Sequence, residues 1–355
     1  MSIEQERFGT TSDGKEITVY KMRNKNGVEA QVMNYGAVLL RLYAPNRDGY
    51  KEDVVLGYKE LSGYEQNLPG FGAFIGRNAN RIKDAKFTLN GVTYELEQND
   101  GGNNLHGGGK GYAREVYETE VREQEGQDLV IFRRLSPHME QGFPGNLQVE
   151  MSYLLKDDNA LILQYKATGD QDTVVNFTNH SYFNLAGHTS GTVLNHEIKI
   201  YSQKYTKTDE DNIPTGEYVD VTGSPMDFTE FKTLGKDIDA EYTPLKQCTG
   251  YDHNYVFEMK GKEIAKVAEL VDRTSGRKMD VYTNMPGMQL YTANYLTYDE
   301  RIEFKDNAVY QPRDAVCLET QFYPNACNIK EFPSTILRAG EVYDYTTVYQ
   351  FLVEE

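Results

Sequence analysis

One histidine and one glutamate, set among amides and tyrosines, are the residues in this sequence best suited to chemistry. His180 stands in Asn179-His180-Ser181-Tyr182-Phe183-Asn184-Leu185, directly after the β-branched, apolar run Thr173-Val174-Val175-Asn176-Phe177-Thr178, which reads as a strand. An imidazole at a strand end, flanked by Asn, Ser and Tyr, has hydrogen-bonding neighbours and no packing reason to be there. Glu319 follows Ala315-Val316-Cys317-Leu318 and precedes Thr320-Gln321. Apolar surroundings strip water from a carboxylate, raise its pKa and suit it to general-base work near neutrality. The competing reading of Glu319 is a buried structural pair with Arg81 or another cation. Asn80-Arg81 and Leu105-His106-Gly107-Gly108 add an amide, a guanidinium and a second imidazole. A carboxylate and an imidazole facing one substrate from opposite ends perform general acid/base chemistry.

Composition narrows the partners. The 355 residues hold 37 Lys+Arg against 54 Asp+Glu, a net charge of −17, and that field repels nucleic acid and anionic membrane. The start, Met1-Ser2-Ile3-Glu4-Gln5-Glu6-Arg7, lacks the basic and apolar regions of a signal peptide, and no apolar run approaches the roughly 20 residues of a membrane span. Cys248, Cys317 and Cys327 are odd in number and form no C-x-x-C pair, as expected of small buried residues in a reducing cytosol. A cytoplasmic location is therefore expected, and the two glycosylation sequons at Asn176 and Asn179 match by pattern only. Gly107-Gly108-Gly109-Lys110-Gly111 fails as a phosphate loop, because residue 111 is neither Ser nor Thr and position 104 is Asn. It reads instead as a flexible loop letting backbone approach a ligand beside His106. His138, His188, His196 and His253 read as surface or structural, with His253 next to Asp252 the hardest to dismiss.

The elements that must position these groups are strands. The segment 27–46 reads as one or two strands with Ala30, Val32, Val38, Leu40 and Leu42 inward. Phe87–Leu89 and Val92–Leu96 flank Asn90-Gly91, a strong hairpin signal. Leu147–Leu155 and Ala160–Ala167 flank Asp157-Asp158-Asn159; Ala265–Asp272 and Lys278–Thr283 flank Thr274-Ser275-Gly276; Tyr343–Val353 alternates. Helical turns are expected only near Ser62–Gln66 and Phe228–Phe231, and the polar section 204–249 reads as an insertion or irregular connections. The expected fold is all-β, a large antiparallel β-sandwich forming a single domain over residues 1–355.

Asn78-Ala79-Asn80-Arg81-Ile82, Leu105-His106-Gly107-Gly108, Asn179 to Leu185, Tyr251-Asp252-His253, Pro286-Gly287-Met288-Gln289-Leu290-Tyr291-Thr292 and Leu318-Glu319-Thr320-Gln321 resemble, in order, the motifs of the aldose 1-epimerase, or galactose mutarotase, family. Asn34-Tyr35-Gly36-Ala37 and Asp53-Val54-Val55-Leu56-Gly57 are similar as well, so the resemblance runs from about residue 10 to the end. It implies a galactose mutarotase-like supersandwich and exchange of α and β anomers of a free aldose such as galactose or glucose. The matching positions make Glu319 the base at the anomeric hydroxyl, His180 the acid at the ring oxygen and His106 a second imidazole able to share that role. They make Asn80, Arg81, Asp252, Gln289 and Tyr182 the sugar-binding set. One departure, Asn325 in Tyr323-Pro324-Asn325 where many relatives carry Asp, puts a loop contact in doubt.

The chemistry itself asks for these residue types. Ring opening takes a proton from O1 and gives one to O5, with no oxidation and no nucleophile, so no cofactor or metal is implied. The expected partner is a small aldose, with the chain a monomer or homodimer. Four rivals remain. Asp252 with Glu319 matches the carboxylate pair of a glycoside hydrolase but leaves the histidines idle. His106, His180 and Glu319 match a two-His-one-carboxylate metal set. A non-catalytic sugar-binding protein needs neither proton-transfer group, and a hexose-6-phosphate epimerase needs a cation cluster absent from the motifs.

Overall fold

A computed structural model describes residues 3–66, 69–124, 127–297 and 301–354. Three antiparallel sheets carry the architecture. The largest has nine strands, in the order Glu118–Gln124, Gln127–Ser136, Leu147–Leu155, Ala160–Gly169, Val342–Val353, Arg277–Thr283, Ala265–Val271, Glu197–Ile200 and Lys232–Thr233. Its inner face packs on two five-stranded sheets. One is Glu4–Thr10, Glu16–Arg23, Glu29–Met33, Leu39–Pro45 and Lys51–Asp53; the other is Pro214–Asp220, Lys204–Thr208, Asp252–Val256, Gly287–Tyr291 and Cys317–Gln321. The main apolar cluster joins all three, with Met151, Tyr153 and Tyr349 from the large sheet against Leu39 and Leu42 on one side and Met288, Leu290 and Leu318 on the other. The result is the expected antiparallel β-sandwich.

Turn chemistry explains why the hairpins form where they do. Asn90 and Gly91 both lie at positive φ (51° and 79°) between Lys86–Leu89 and Val92–Glu95, the conformation that a two-residue type I′ turn needs and that Asn-Gly supplies most easily. Asn159 and Gly276 take positive φ in the next two hairpins. All five residues expected inward in 27–46 are buried, but in two different cores. A register shift between Gln31 and Val32, opposite Arg41 and Leu39, turns Val38 and Leu40 into a second cluster, while Ala30, Val32 and Leu42 stay in the main one.

Other expectations need correction. Leu61–Gln66 is helical, but Phe228–Phe231 is not, and a second helix, Thr243–Cys248, begins with Pro244 in its first turn. The section 204–249 is no mere insertion, because Lys204–Thr208 and Pro214–Asp220 extend the sheet that carries Glu319. The run before His180 is broken into Thr173–Val174 and Thr178–His180. No helix among the described residues is long and apolar enough to cross a membrane.

Candidate active site

Strand alternation builds the wall of the site. Along Cys317–Gln321 the even-numbered residues face the large sheet: the Tyr349 hydroxyl donates to the Leu318 carbonyl at 3.1 Å, and Thr320 hydrogen-bonds Thr347. Cys317 and Glu319 therefore share the opposite face. Cross-strand pairing continues that face: Glu319 stands opposite Gln289, Gln289 opposite Asn254, and Tyr291 opposite both Asp252 and Cys317. His180 arrives from a separate ribbon in which Thr178–His180 pairs with Ala73–Ile75.

These elements enclose a cavity of about 670 Å³ whose lining includes Asn80, Arg81, His106, His180, Tyr182, Asp252 and Glu319. At its floor His180 Nε2 lies 3.6 Å from Glu319 Oε1, with both side chains almost fully buried. The Tyr182 ring stacks on the imidazole at 4.9 Å and 17°, while its hydroxyl donates to the Pro69 carbonyl at 2.8 Å. Burial drives Glu319 well above the ordinary carboxylate range; the Asp252 charge adds to this and Arg81 opposes it. Burial also lowers His180 to about 4, against a contact with its own backbone and the Asp252 charge. Arg81 pairs not with Glu319 but with Asp100 (Nε to Oδ2, 2.8 Å) and Asp252 (Nη1 to Oδ2, 3.7 Å). The structural-pair reading of Glu319 with Arg81 thus falls away.

His106 and Asn80 hold each other in a tight loop. Asn80 lies at φ 61° and His106 at φ 54°, left-handed conformations that non-glycine residues adopt at some cost. Three bonds support them: His106 N–H donates to the Asn80 carbonyl at 3.2 Å, Arg81 N–H donates to Asn80 Oδ1 at 2.8 Å, and Asn80 N–H donates to His106 Nδ1 at 3.1 Å. A backbone N–H can only donate, so His106 Nδ1 keeps its lone pair and the neutral ring carries its proton on Nε2. Burial, then the neighbouring His180 and Arg81, push His106 well below the ordinary imidazole range. His106 is a neutral N–H donor.

That polarity also bears on a metal. The ligand atoms of His106, His180 and Glu319 lie within 4.8 Å of one another. A ligating imidazole gives its lone pair to the ion and donates its other N–H to an acceptor. His106 meets a donor there instead, so this donor set does not fit a resident metal.

The comparisons with known proteins bear on the whole chain. The family model for aldose 1-epimerase matches residues 18–350. The chain belongs to the aldose 1-epimerase family. It is 40% identical to the galactose mutarotase of Homo sapiens over 353 residues, 99% of each chain. Against the aldose 1-epimerase of Escherichia coli K12 it is 34% identical over 344 residues, 96% of this chain and 97% of the other. A crystal structure of an aldose epimerase homologue from C. elegans superposes with a TM-score of 0.85 at 29% identity, over 95% of this chain and 99% of that one.

Within this family frame the residues singled out by sequence divide in two. Glu319, His180, His106, Asn80, Arg81, Asp252 and Tyr182 line one cavity. Gln289 lies behind it and donates through Nε2 to Asp252 Oδ1 at 2.7 Å. His253 is buried away from the cavity, on the opposite strand face from Asp252, and His188 pairs with Tyr310 and Asp306. The glycine loop packs closely within the chain: a Cβ on Gly107 would meet the Gly76 carbonyl at 2.5 Å, and Gly109 N–H donates to Glu97. Asn325 makes a loop contact, its Oδ1 accepting from Lys83 N–H at 3.1 Å and its N–H donating to the Arg81 carbonyl.

Sequence reasoning missed Asp100 and Asn212, the latter donating to Asp252 Oδ2 at 3.2 Å, and the rim residues Glu65, Arg114, Tyr295 and Arg301. None has a local signature. Cys317, 3.6 Å from His180 Nδ1, did have one, since C-x-E on a strand puts both side chains on one face.

Proposed function

We propose that the chain interconverts the α and β anomers of free aldohexoses, galactose and glucose foremost, by general acid/base ring opening and closure. The observation that carries this reading is the 3.6 Å approach of His180 Nε2 to Glu319 Oε1 at the floor of a polar cavity. In opening, the Glu319 carboxylate takes the O1 proton, the C1–O5 bond breaks toward O5, and O5 takes the His180 Nε2 proton. The resulting aldehyde rotates about C1–C2. In closure His180 Nε2 takes the O5 proton, O5 attacks C1 from the other face, and Glu319 returns a proton to O1.

One proton serves the pair throughout. Burial favours a protonated Glu319 with a neutral His180, which is the form matched to an open-chain sugar. The ring form needs the same proton on the imidazole instead. The two forms carry equal charge, so the pair runs both half-reactions without exchanging protons with solvent. Each group contributes about 10²–10⁴-fold to the rate. His106 supplies a fixed Nε2–H donor to a sugar oxygen. Asp252, held by Gln289, Asn212 and Arg81, accepts from a hydroxyl, and Arg81 and Asn80 bind others.

Arg114 and Arg301 on the rim favour a second reading, a sugar phosphate, which Glu65 on the same rim opposes. Polarimetry on freshly dissolved α-galactose, α-glucose and glucose 6-phosphate tests both. Acceleration of the free sugars is expected; spontaneous rates with them alone would overturn the first reading in favour of the second.

A further inference from the structure

The strand that carries Glu319 touches the imidazole of His180 at both nitrogens. Glu319 Oε1 faces Nε2 at 3.6 Å and Cys317 Sγ faces Nδ1 at 3.6 Å. Residues two apart on a strand are about 6.8 Å apart on one face, so one ring fits between them. The ring also meets Tyr182, stacked at 4.9 Å, His106 and Tyr291, edge-on at 5.3 Å and 6.2 Å, and its own backbone. Asp252 contributes a more distant charge. Among the described residues Cys317 is the one side chain at hydrogen-bonding distance from Nδ1.

We infer that Cys317 is a positioning residue whose sulfur accepts the Nδ1–H of His180 and so keeps Nε2 as the nitrogen that exchanges the proton. This inference rests on His180 acting as the acid. Neutral imidazole has two tautomers, and only the one protonated at Nδ1 has an Nε2 lone pair for the O5 proton. It is also the tautomer left when the imidazolium gives its Nε2 proton to O5. The proton on Nδ1 needs an acceptor at every stage, and a thiol sulfur accepts weakly. Weakness is useful here. A carboxylate in the same place would stabilise the imidazolium and make it a poorer acid toward a sugar ring oxygen, a very weak base. Burial, with the nearby Glu319 and Asp252, holds the Cys317 thiol well above its ordinary pKa, so no thiolate competes for the ring. His106 is the counter-example a few ångströms away: its Nδ1 faces a donor, and its ring is locked in the opposite tautomer.

The test is ¹⁵N NMR of histidine-labelled protein, with the His180 signals assigned by their loss in His180→Asn, together with kcat and KM by polarimetry. The wild type is expected to show neutral His180 protonated at Nδ1. Cys317→Val, which keeps bulk but cannot hydrogen-bond, is expected to populate the Nε2–H tautomer and to lose about tenfold in kcat with KM within twofold. Cys317→Ser, which can still accept, is expected to keep the tautomer and to stay within about threefold of the wild-type rate. An Nε2–H wild type, or a Cys317→Val protein with wild-type tautomer and kcat, overturns the inference. If Cys317→Val does not fold, the wild-type and Cys317→Ser spectra decide alone. A wild type without mutarotation would sink the functional reading itself, a separate failure.

Discussion

The Lys305–Asp53 and His180–Glu319 pairs are both buried, and they are built in contrary ways. Lys305 Nζ sits 2.7 Å from Asp53 Oδ2, with both side chains almost wholly buried, and donates also to the carbonyls of Leu40 (2.9 Å) and Val55 (2.6 Å). Asp53 in turn accepts from the N–H groups of Leu42 and Val55 and from Arg41. Burial lowers Lys305 to about 8 even with Asp53 opposing it, and all three ammonium donors are spent. Glu319 and His180 are as deeply buried, yet stand 3.6 Å apart, and Glu319 Oε2 has no hydrogen-bond partner among the described residues. An unpartnered buried polar atom costs about 1–3 kcal/mol. The first pair is closed to any newcomer. The second keeps unmade bonds that a bound hydroxyl can complete, as the proposed function requires of a group that acts on substrate.

The contrast predicts that substitutions at the two pairs are read on different scales. Glu319→Gln and His180→Asn should each lower polarimetric turnover at least a hundredfold. The melting temperature should hold or rise for Glu319→Gln, because the amide removes a buried carboxyl that makes few bonds. Near-normal turnover in either variant would remove that residue from the proton-transfer pair.

Lys305→Met should instead cost stability, about 3–5 kcal/mol in denaturant unfolding, because Asp53 is left buried without its principal charge partner. A stable Lys305→Met protein, or a badly destabilised Glu319→Gln, would break the comparison. Arg81→Ala falls between the two. On the proposed function it removes one charge-assisted contact to the sugar, worth about 1.5–3 kcal/mol, so KM should rise roughly tenfold to a hundredfold. Some loss of kcat should accompany this as the ring shifts in the cavity.

The same division decides what was legible in the sequence. The groups proposed to transfer protons were visible because each sits in a local pattern, His180 at the end of an apolar run and Glu319 inside one. The hairpins were visible because Asn90-Gly91, Asn159 and Gly276 supply the positive φ their turns require. What escaped lacked local cause. Lys204–Thr208 and Pro214–Asp220 are polar and partly exposed, so no alternation marked them as strands. They form because the edge of the site sheet offers them partners. Asp100 and Asn212 gain their roles from Arg81 and Asp252, which are remote in sequence. The Lys305–Asp53 pair, 252 residues apart, gave no warning for the same reason. The helix Thr243–Cys248 did leave a signal, Pro244 in its first turn, a position proline favours.

The smallest effect tests the comparison away from the site, at His196. Its Nε2 accepts from Leu185 N–H at 2.9 Å, it lines no part of the cavity, and burial lowers it to about 4 against the Asp272 charge. Its folded pKa is thus below its unfolded value near 6.5, so between the two the unfolded chain binds the extra proton. Stability from this residue is complete above pH 6.5 and is lost as pH falls toward 4. At pH 5.5, one unit below the unfolded value, the loss is about 1.4 kcal/mol. His196→Gln, which keeps an acceptor for Leu185, should flatten the fall in stability between pH 7 and 5.5 by about that amount, with turnover at neutral pH unchanged. An equally steep acid limb in His196→Gln would assign the acid sensitivity to the other buried histidines. His180 and His253, each also lowered to about 4, would then carry it, and the cost of keeping a dry imidazole at the site would show in the stability of the whole fold.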